Sequence, residues 1–342
     1  MTSADLAPRL AAYAASRMPG AVGVEVRDLS RISGGASRQT YRFRLTWTEG
    51  GARRERRLIL RRDPPASLID TERRVEFAAY SAFHGSEVPV PEMIWLEEGT
   101  EVLDQPFSVA EEITGFEAAP ALLWAEPYLS AHETLARNKW TLLGHISRAD
   151  PFALGLDRVM PPPSPEACWV RELDMWEKVL DEDEVEPLPI TRAAIRWLRA
   201  HPPPPAQRIS VVHGDFRTGN FLYDRQGGIH GVLDWEMAHL GDPLEDLGWS
   251  LNPVWNFKRD LAGGLVPDVV AIAHWEASSG LRADPSALHW WTLFNCVKGQ
   301  AIWISSARAW IDGGNREPIM VLPAWGLQNA QDRAILKVMG RL

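Results

Sequence analysis

The chain has 342 residues, 45% hydrophobic and 24% charged, with a formal net charge of −9. That length supports a large core shared between two lobes, and the acidic balance argues against a nucleic-acid binder, which would carry a basic face. No run of about 18 apolar residues occurs, which excludes a membrane-spanning helix.

Residues 3–18 carry a helical pattern; Asp5, Arg9 and Arg17 break it too often for a signal-peptide core. Strands are predicted over 23–31, 39–47 and 56–62, where Thr40-Tyr41-Arg42-Phe43-Arg44-Leu45 alternates and Leu58-Ile59-Leu60 is a short apolar run. Ser33-Gly34-Gly35-Ala36-Ser37 and Glu49-Gly50-Gly51 supply the turns. A helix is expected from Asp70 to Phe83, with Val75, Ala79 and Phe83 on one face, and Pro89 and Pro91 stop it. Strands near Met93–Glu97 and Phe107–Ile113 complete an antiparallel sheet. After Thr114-Gly115 the pattern turns to helices over 130–148, 167–181 and 188–200, and strands return only at 209–213, 220–224 and 229–234. The remainder reads as helical, most clearly from Asp284 to Trp310, where Leu288, Trp291 and Phe294 keep a helical period. Most of the 16 Trp fall after residue 120 and suit a core of packed helices. Cys168 and Cys296 match no metal or redox spacing, which suggests reduced thiols and a cytoplasmic location.

The richest stretch is Val212-His213-Gly214-Asp215-Phe216-Arg217-Thr218-Gly219-Asn220, followed by Val232-Leu233-Asp234-Trp235-Glu236. It sets two carboxylates and a carboxamide where apolar strands run out. Phosphoryl transfer needs a group facing the acceptor hydroxyl and hard oxygen ligands for Mg²⁺. Asp215 can orient the hydroxyl, and Asn220 and Asp234 can offer one neutral and one charged oxygen to the metal. Any one of these residues could merely cap a turn; the whole set at this spacing points to chemistry.

His213-Gly214-Asp215-x4-Asn220 with Asp234-Trp235-Glu236 resembles the signature of the aminoglycoside phosphotransferase and choline kinase-like family. Gly241-Asp242-Pro243-Leu244-Glu245-Asp246-Leu247-Gly248-Trp249 narrows the resemblance to the kinase-like domain fused to some acyl-CoA dehydrogenases. The resemblance implies an α+β, bilobal, protein kinase-like fold. Its N-terminal antiparallel-sheet lobe would span residues 1–113 and its mainly helical C-terminal lobe 114–342. It also implies ATP and Mg²⁺ as cofactors, Asp215 as catalytic base, and Asn220 and Asp234 as magnesium ligands. Asp246 would tie down the catalytic loop, and His213 would support it. Ser33, Gly34, Gly35 and Ser37 match the family's nucleotide-flap loop, whose N–H groups approach phosphate. Arg61 stands where kinases carry the strand lysine that holds phosphates, with Glu76 or Glu72 as its partner. Glu111 to Ile113 would read adenine through the main chain.

The function expected is therefore ATP-dependent phosphorylation of a small-molecule hydroxyl. A nucleotide-binding pseudokinase or regulatory module is the alternative. A metal-dependent hydrolase would need a denser His/Asp cluster, and the lack of an Ala-Pro-Glu element after Asp234 argues against protein substrates. Trp249, Trp255, His239 and Trp291 are candidates for the acceptor pocket. The acceptor and the oligomeric state are not legible.

Overall fold

A computed structural model of the protein describes residues 3–32, 38–63, 73–257, 259–313 and 320–342. The chain divides into two compact units: Met1–Ser81 with Pro91–Thr114, and Ala82–Val90 with Gly115–Leu342.

The first unit is a five-stranded antiparallel sheet of order β1-β2-β3-β5-β4. Its strands are β1 (Val22–Ile32), β2 (Gln39–Glu49), β3 (Ala52–Arg62), β4 (Met93–Glu97) and β5 (Phe107–Glu111). Helix α1 (Ser3–Arg17) lays Leu6, Leu10, Tyr13 and Ala14 on one face of the sheet. There they meet Tyr41, Phe43, Leu45, Leu58, Leu60, Phe107 and Val109. These sheet residues alternate along β2 and β3, as a half-buried strand requires. Leu58 and Leu60 therefore face α1, and Arg61, one step out of phase, points to the opposite face. Each buried Leu contributes about 1.5–3 kcal/mol, so α1 is held by its apolar stripe. Helix α2 (Arg73–Phe83) follows β3. The strand expected over Phe107–Ile113 ends at Glu111, although the Glu112 N–H still bonds the Arg57 carbonyl at 3.0 Å.

The second unit is mainly helical. Helix α3 (His132–Arg148) packs on α7 (Asp268–Ser279). Helices α4 (Cys168–Asp183), α5 (Pro189–Ala200), α6 (Leu244–Ser250) and α9 (Gln328–Val338) surround α8 (Pro285–Ile311). Helix α8 is buried on almost every side, as a central helix must be, with Trp290, Trp291, Leu293, Phe294, Val297 and Ile304 in the core and Asn295, Lys298 and Gln300 carrying polar groups into it. Its start is fixed by Asp284, which accepts the Ser286 and Ala287 N–H groups at 3.0 and 2.9 Å, and by Pro285 in the first turn. Trp140, Trp235, Trp249, Trp275, Trp290 and Trp291 are fully buried, so the Trp-rich region is core. Two small antiparallel ladders carry the polar loops: β6 (Ser210–Val212) with β9 (His239–Gly241), and β7 (Phe221–Tyr223) with β8 (Ile229–Val232). The strand β9 has no counterpart among the predicted elements. No helix among the described residues is long and apolar enough to cross a membrane.

Candidate active site

Strand β6 feeds the chain into His213, Gly214 and Asp215. Their backbone is pinned from α6, where Asp246 accepts the His213 N–H at 2.6 Å and the Gly214 N–H at 3.0 Å. Burial pushes the Asp246 carboxyl up to about 6, against those two bonds. Gly214 has φ +85, and a Cβ there would lie 2.4 Å from the Met237 carbonyl oxygen. Lys298 of α8 donates to the Gly214 carbonyl at 2.7 Å. His213 is fully buried and neutral: its Nδ1 accepts the Asp215 N–H at 3.2 Å, which leaves Nε2 as the donor to the Leu233 carbonyl at 2.9 Å. Burial lowers its pKa to about 4. It is a strut between two loops, in the supporting role expected of it.

Asp215 sits among three donors. Trp249 of α6 gives its indole N–H to Oδ1 at 2.8 Å, and Arg217 Nε lies 3.0 and 3.2 Å from the two carboxylate oxygens. Asn220 Nδ2 donates to Oδ2 at 2.6 Å and to the Asp215 carbonyl at 2.9 Å. Burial raises the Asp215 pKa; Arg217 opposes the rise and Asp234 adds to it. With its amide nitrogen on Asp215, Asn220 turns its carbonyl oxygen, the atom a cation takes, the other way. The β7–β8 ladder then brings the third residue close. The Leu233 N–H bonds the Asn220 carbonyl at 2.7 Å, so Asp234 is the next residue beyond that pairing. Asp234 adopts φ 69, a left-handed conformation uncommon outside glycine, at the start of the tight turn Trp235–Met237.

The first unit holds a second cluster. Arg61 of β3 pairs with Glu76 of α2 at 2.5 Å, with side chains 17% and 2% exposed. Glu72 lies outside the described residues, as do Ser33, Gly34, Gly35 and Ser37. Asp63 binds both Arg38, at 2.9 Å, and Arg73, and Arg73 also donates to the Arg61 carbonyl at 3.0 Å. The Glu111 N–H is taken by the Glu92 carbonyl, and the Glu112 N–H is bonded as described above. Ile113 is thus the first residue beyond the ladder.

The profile of the phosphotransferase enzyme family matches residues 28–291. The chain belongs to that family. It is 30% identical over 228 residues to mouse acyl-CoA dehydrogenase family member 10, covering 65% of this chain and 20% of the relative. The chain thus spans about a fifth of that relative's length. Among solved structures, a Ralstonia eutropha protein assigned as an aminoglycoside phosphotransferase shares the fold with a TM-score of 0.73 and 19% identity over 98% of both chains. A thermostable mutant of aminoglycoside phosphotransferase APH(4)-Ia, in ternary complex with AMP-PNP and hygromycin B, aligns with a TM-score of 0.58 and 18% identity, covering 93% of this chain and 96% of that one. Plasmodium vivax ethanolamine kinase aligns at 0.59 and 12%, covering 92% and 83%. The fold is the kinase-like α+β fold.

In this member of the family the structure brings Asp215 and Asn220 into contact and sets Asp234 beside them. It pairs Arg61 with Glu76. The donor set of one carboxamide oxygen and one carboxylate fits a hard cation such as Mg²⁺. Of the pocket candidates, Trp249 touches Asp215, and Trp255 lies under the Arg217 guanidinium at 5.0 Å. Trp291 is fully buried with its N–H on Asp242 at 3.1 Å, which keeps it from facing an acceptor, and His239, 21% exposed, lies between the carboxylates of Glu172 and Glu245. Sequence reasoning missed Arg217 as a partner of Asp215, Lys298 behind Gly214, and the Arg38–Asp63–Arg73 group. Arg217 lay inside the motif; the others are joined only by the fold. Lys139 of α3 was missed as well: it is fully buried with Thr218 Oγ1 at 3.5 Å, and burial, reinforced by Arg217, lowers its pKa to about 7.

Proposed function

We propose that this chain transfers the γ-phosphoryl group of ATP to a hydroxyl of a small molecule, with Asp215 as base and Asn220 and Asp234 as ligands of Mg²⁺. The observation that carries this reading is the Asp215 carboxylate, 16% exposed, raised in pKa by its partial burial and fixed by Asn220 and Trp249. A base poised in this way accepts the hydroxyl proton as the oxygen attacks the γ-phosphorus. The bond from that phosphorus to the bridging oxygen breaks, and ADP leaves with the electron pair. Arg61, oriented by Glu76, and the loop of Ser33, Gly34, Gly35 and Ser37 would hold the phosphates, and the main chain from Glu111 to Ile113 would meet the adenine. Bound Mg²⁺ would neutralise phosphate oxygens whose mutual repulsion grows once water is excluded.

Two features bear on the acceptor. Arg217 puts a guanidinium on the Asp215 carboxylate, which weakens the attraction of that carboxylate for a polycation. The buried aromatic cluster Trp249, Trp255 and Trp303 makes the packing behind Asp215 apolar, with Trp249 in contact with it. With a relative named for acyl-CoA dehydrogenase, these put hydroxyacyl compounds first in a screen that also covers sugars, amino alcohols, macrolides and aminoglycosides. The test is ATP consumption across these classes with Asp215→Ala as the blank. Turnover should fall about 10²–10⁴-fold in that variant, with Mg²⁺-dependent ATP binding kept; Asp234→Ala should lose that binding too. Equal turnover in wild type and both variants ends the proposal.

One observation favours a second reading, a nucleotide-binding module without turnover. Arg217 occupies both carboxylate oxygens of Asp215. ATP-dependent thermal stabilisation with no phosphate released, in wild type and in Arg217→Ala alike, would select it.

A further inference from the structure

Behind the catalytic loop lies a buried ionic cluster that the chemistry above does not use. Its centre is His239 of β9. The Nδ1 atom donates to the Met237 carbonyl at 3.0 Å, while Nε2 lies 3.1 Å from Glu245 and 3.6 Å from Glu172. Both ring nitrogens thus face acceptors, the arrangement of an imidazolium. The second oxygen of Glu245 takes Lys298 at 3.0 Å, in a pair that is 0% and 1% exposed. Glu172 is held in turn by Arg171, which also donates to the Leu240 carbonyl at 2.5 Å.

The cluster ends on both parts of the site. Lys298 donates to the carbonyl of Gly214, the residue before Asp215. Its ammonium also lies 5.2 Å from the ring of Trp249, whose N–H bonds Asp215. At the other end, His239 fixes the Met237 carbonyl, which closes the turn begun by Asp234 and against which Gly214 is wedged. Burying such charges is expensive, and apolar residues of like volume would stabilise the fold at least as well. What an ion chain adds is direction: each charge-assisted bond fixes the next group's orientation.

We propose that Glu172, His239, Glu245 and Lys298 form a buried relay that sets the Asp215 loop and the Asp234 turn in register, with Lys298 and Glu245 as positioning residues for phosphoryl transfer. The inference rests on the reading of Asp215 as base. A metal is the competing occupant, since the donor atoms of Glu172, His239 and Glu245 lie within 4.8 Å of one another. Arg171 and Lys298 already sit on those two carboxylates, so a divalent ion would crowd a third cation among them.

The experiment compares wild type, Lys298→Arg and the charge-neutral double variant Lys298→Met/Glu245→Gln. The double variant removes both members of the pair and leaves the His239 ring with Glu172 as its carboxylate partner. Hydrolysis of Mg·ATP without acceptor is followed well below the unfolding midpoint, beside hydrogen exchange of the 213–220 amides. The double variant should lose about 10–100-fold in kcat with KM for ATP within two-fold. Its 213–220 amides should exchange about ten-fold faster, and Lys298→Arg should recover part of both effects. In an Asp215→Ala background the double variant should cost no further kcat, as coupled residues behave. Wild-type kcat together with wild-type exchange in the double variant overturns the relay, as does a stoichiometric transition metal in the purified protein. If instead Asp215→Ala keeps full turnover, the base assignment fails, while the exchange measurement still decides the relay.

Discussion

At the Asp215 carboxylate, an indole, a guanidinium and a carboxamide each engage an oxygen, so deleting one donor tests orientation without deleting the carboxylate. Trp249→Phe deletes the indole N–H together with one ring of that buried side chain, so stability is measured beside turnover. Turnover should drop about ten-fold, equivalent to about 1.4 kcal/mol, with nucleotide affinity unchanged; unchanged kcat would make the bond incidental. Gly214→Ala is the severe case. Its backbone sits at φ +85, and the added methyl would meet the Met237 carbonyl oxygen at 2.4 Å. We expect loss of about 3 kcal/mol or more, measured by denaturant unfolding. The proximity of Asp215, Asn220 and Asp234 was legible in the sequence because their spacing is set by one loop and one hairpin. The Trp249 bond, 34 positions away, and the Lys298 bond, 84 positions from Gly214, were not. No local pattern encodes which buried cation will meet which carbonyl.

Among elements, the long ones announced themselves. Helix α8 runs Pro285–Ile311 against the expected Asp284–Trp310, because the Asp-Pro start and the unbroken apolar period both act locally. Its cap gives a clean stability test. Asp284→Ala should cost about 1 kcal/mol and lower the melting point while leaving turnover alone; a fall in turnover at constant stability would contradict a purely capping role. Short elements were less legible. The three residues of β9 have no propensity signal and form because Val211 pairs with Leu240. Nor could the pattern tell that the strand entering the 111–113 segment stops at Glu111, since its last bonds go to Glu92 and Arg57.

For the molecule as a whole, the buried ions predict a pH range of stability. Burial alone would lower the His239 pKa, but Glu172 and Glu245 outweigh it and hold it at about 9. Burial works against the Glu245 carboxylate, yet Lys298 and His239 hold it well below its ordinary range. A histidine raised on folding stabilises fully below its unfolded value of about 6.5, and that contribution fades as pH climbs through the folded one. A depressed glutamate stabilises above its unfolded value of about 4.3 and is lost in acid. Lys139, whose pKa is lowered on folding, works the opposite way in wild type and in His239→Gln alike, so the prediction is a difference: the melting point of wild type should fall relative to that of His239→Gln between about pH 6.5 and 9. An identical alkaline slope in that variant would place its origin elsewhere.

The interrupted chain path of the first unit has a practical corollary. Nine residues, Ala82–Val90, cluster with the second unit although they are sandwiched in sequence between two pieces of the first. Phe83 stacks on Trp235 at 4.9 Å, and the Pro89 carbonyl accepts the Val232 N–H at 2.7 Å. Scissors applied at residue 114 would strand this ribbon, leaving the amino-terminal fragment with sticky orphans and the carboxy-terminal fragment missing a staple. Anyone wishing to swap or express the halves separately should graft that ribbon onto the helical partner, or expect precipitate.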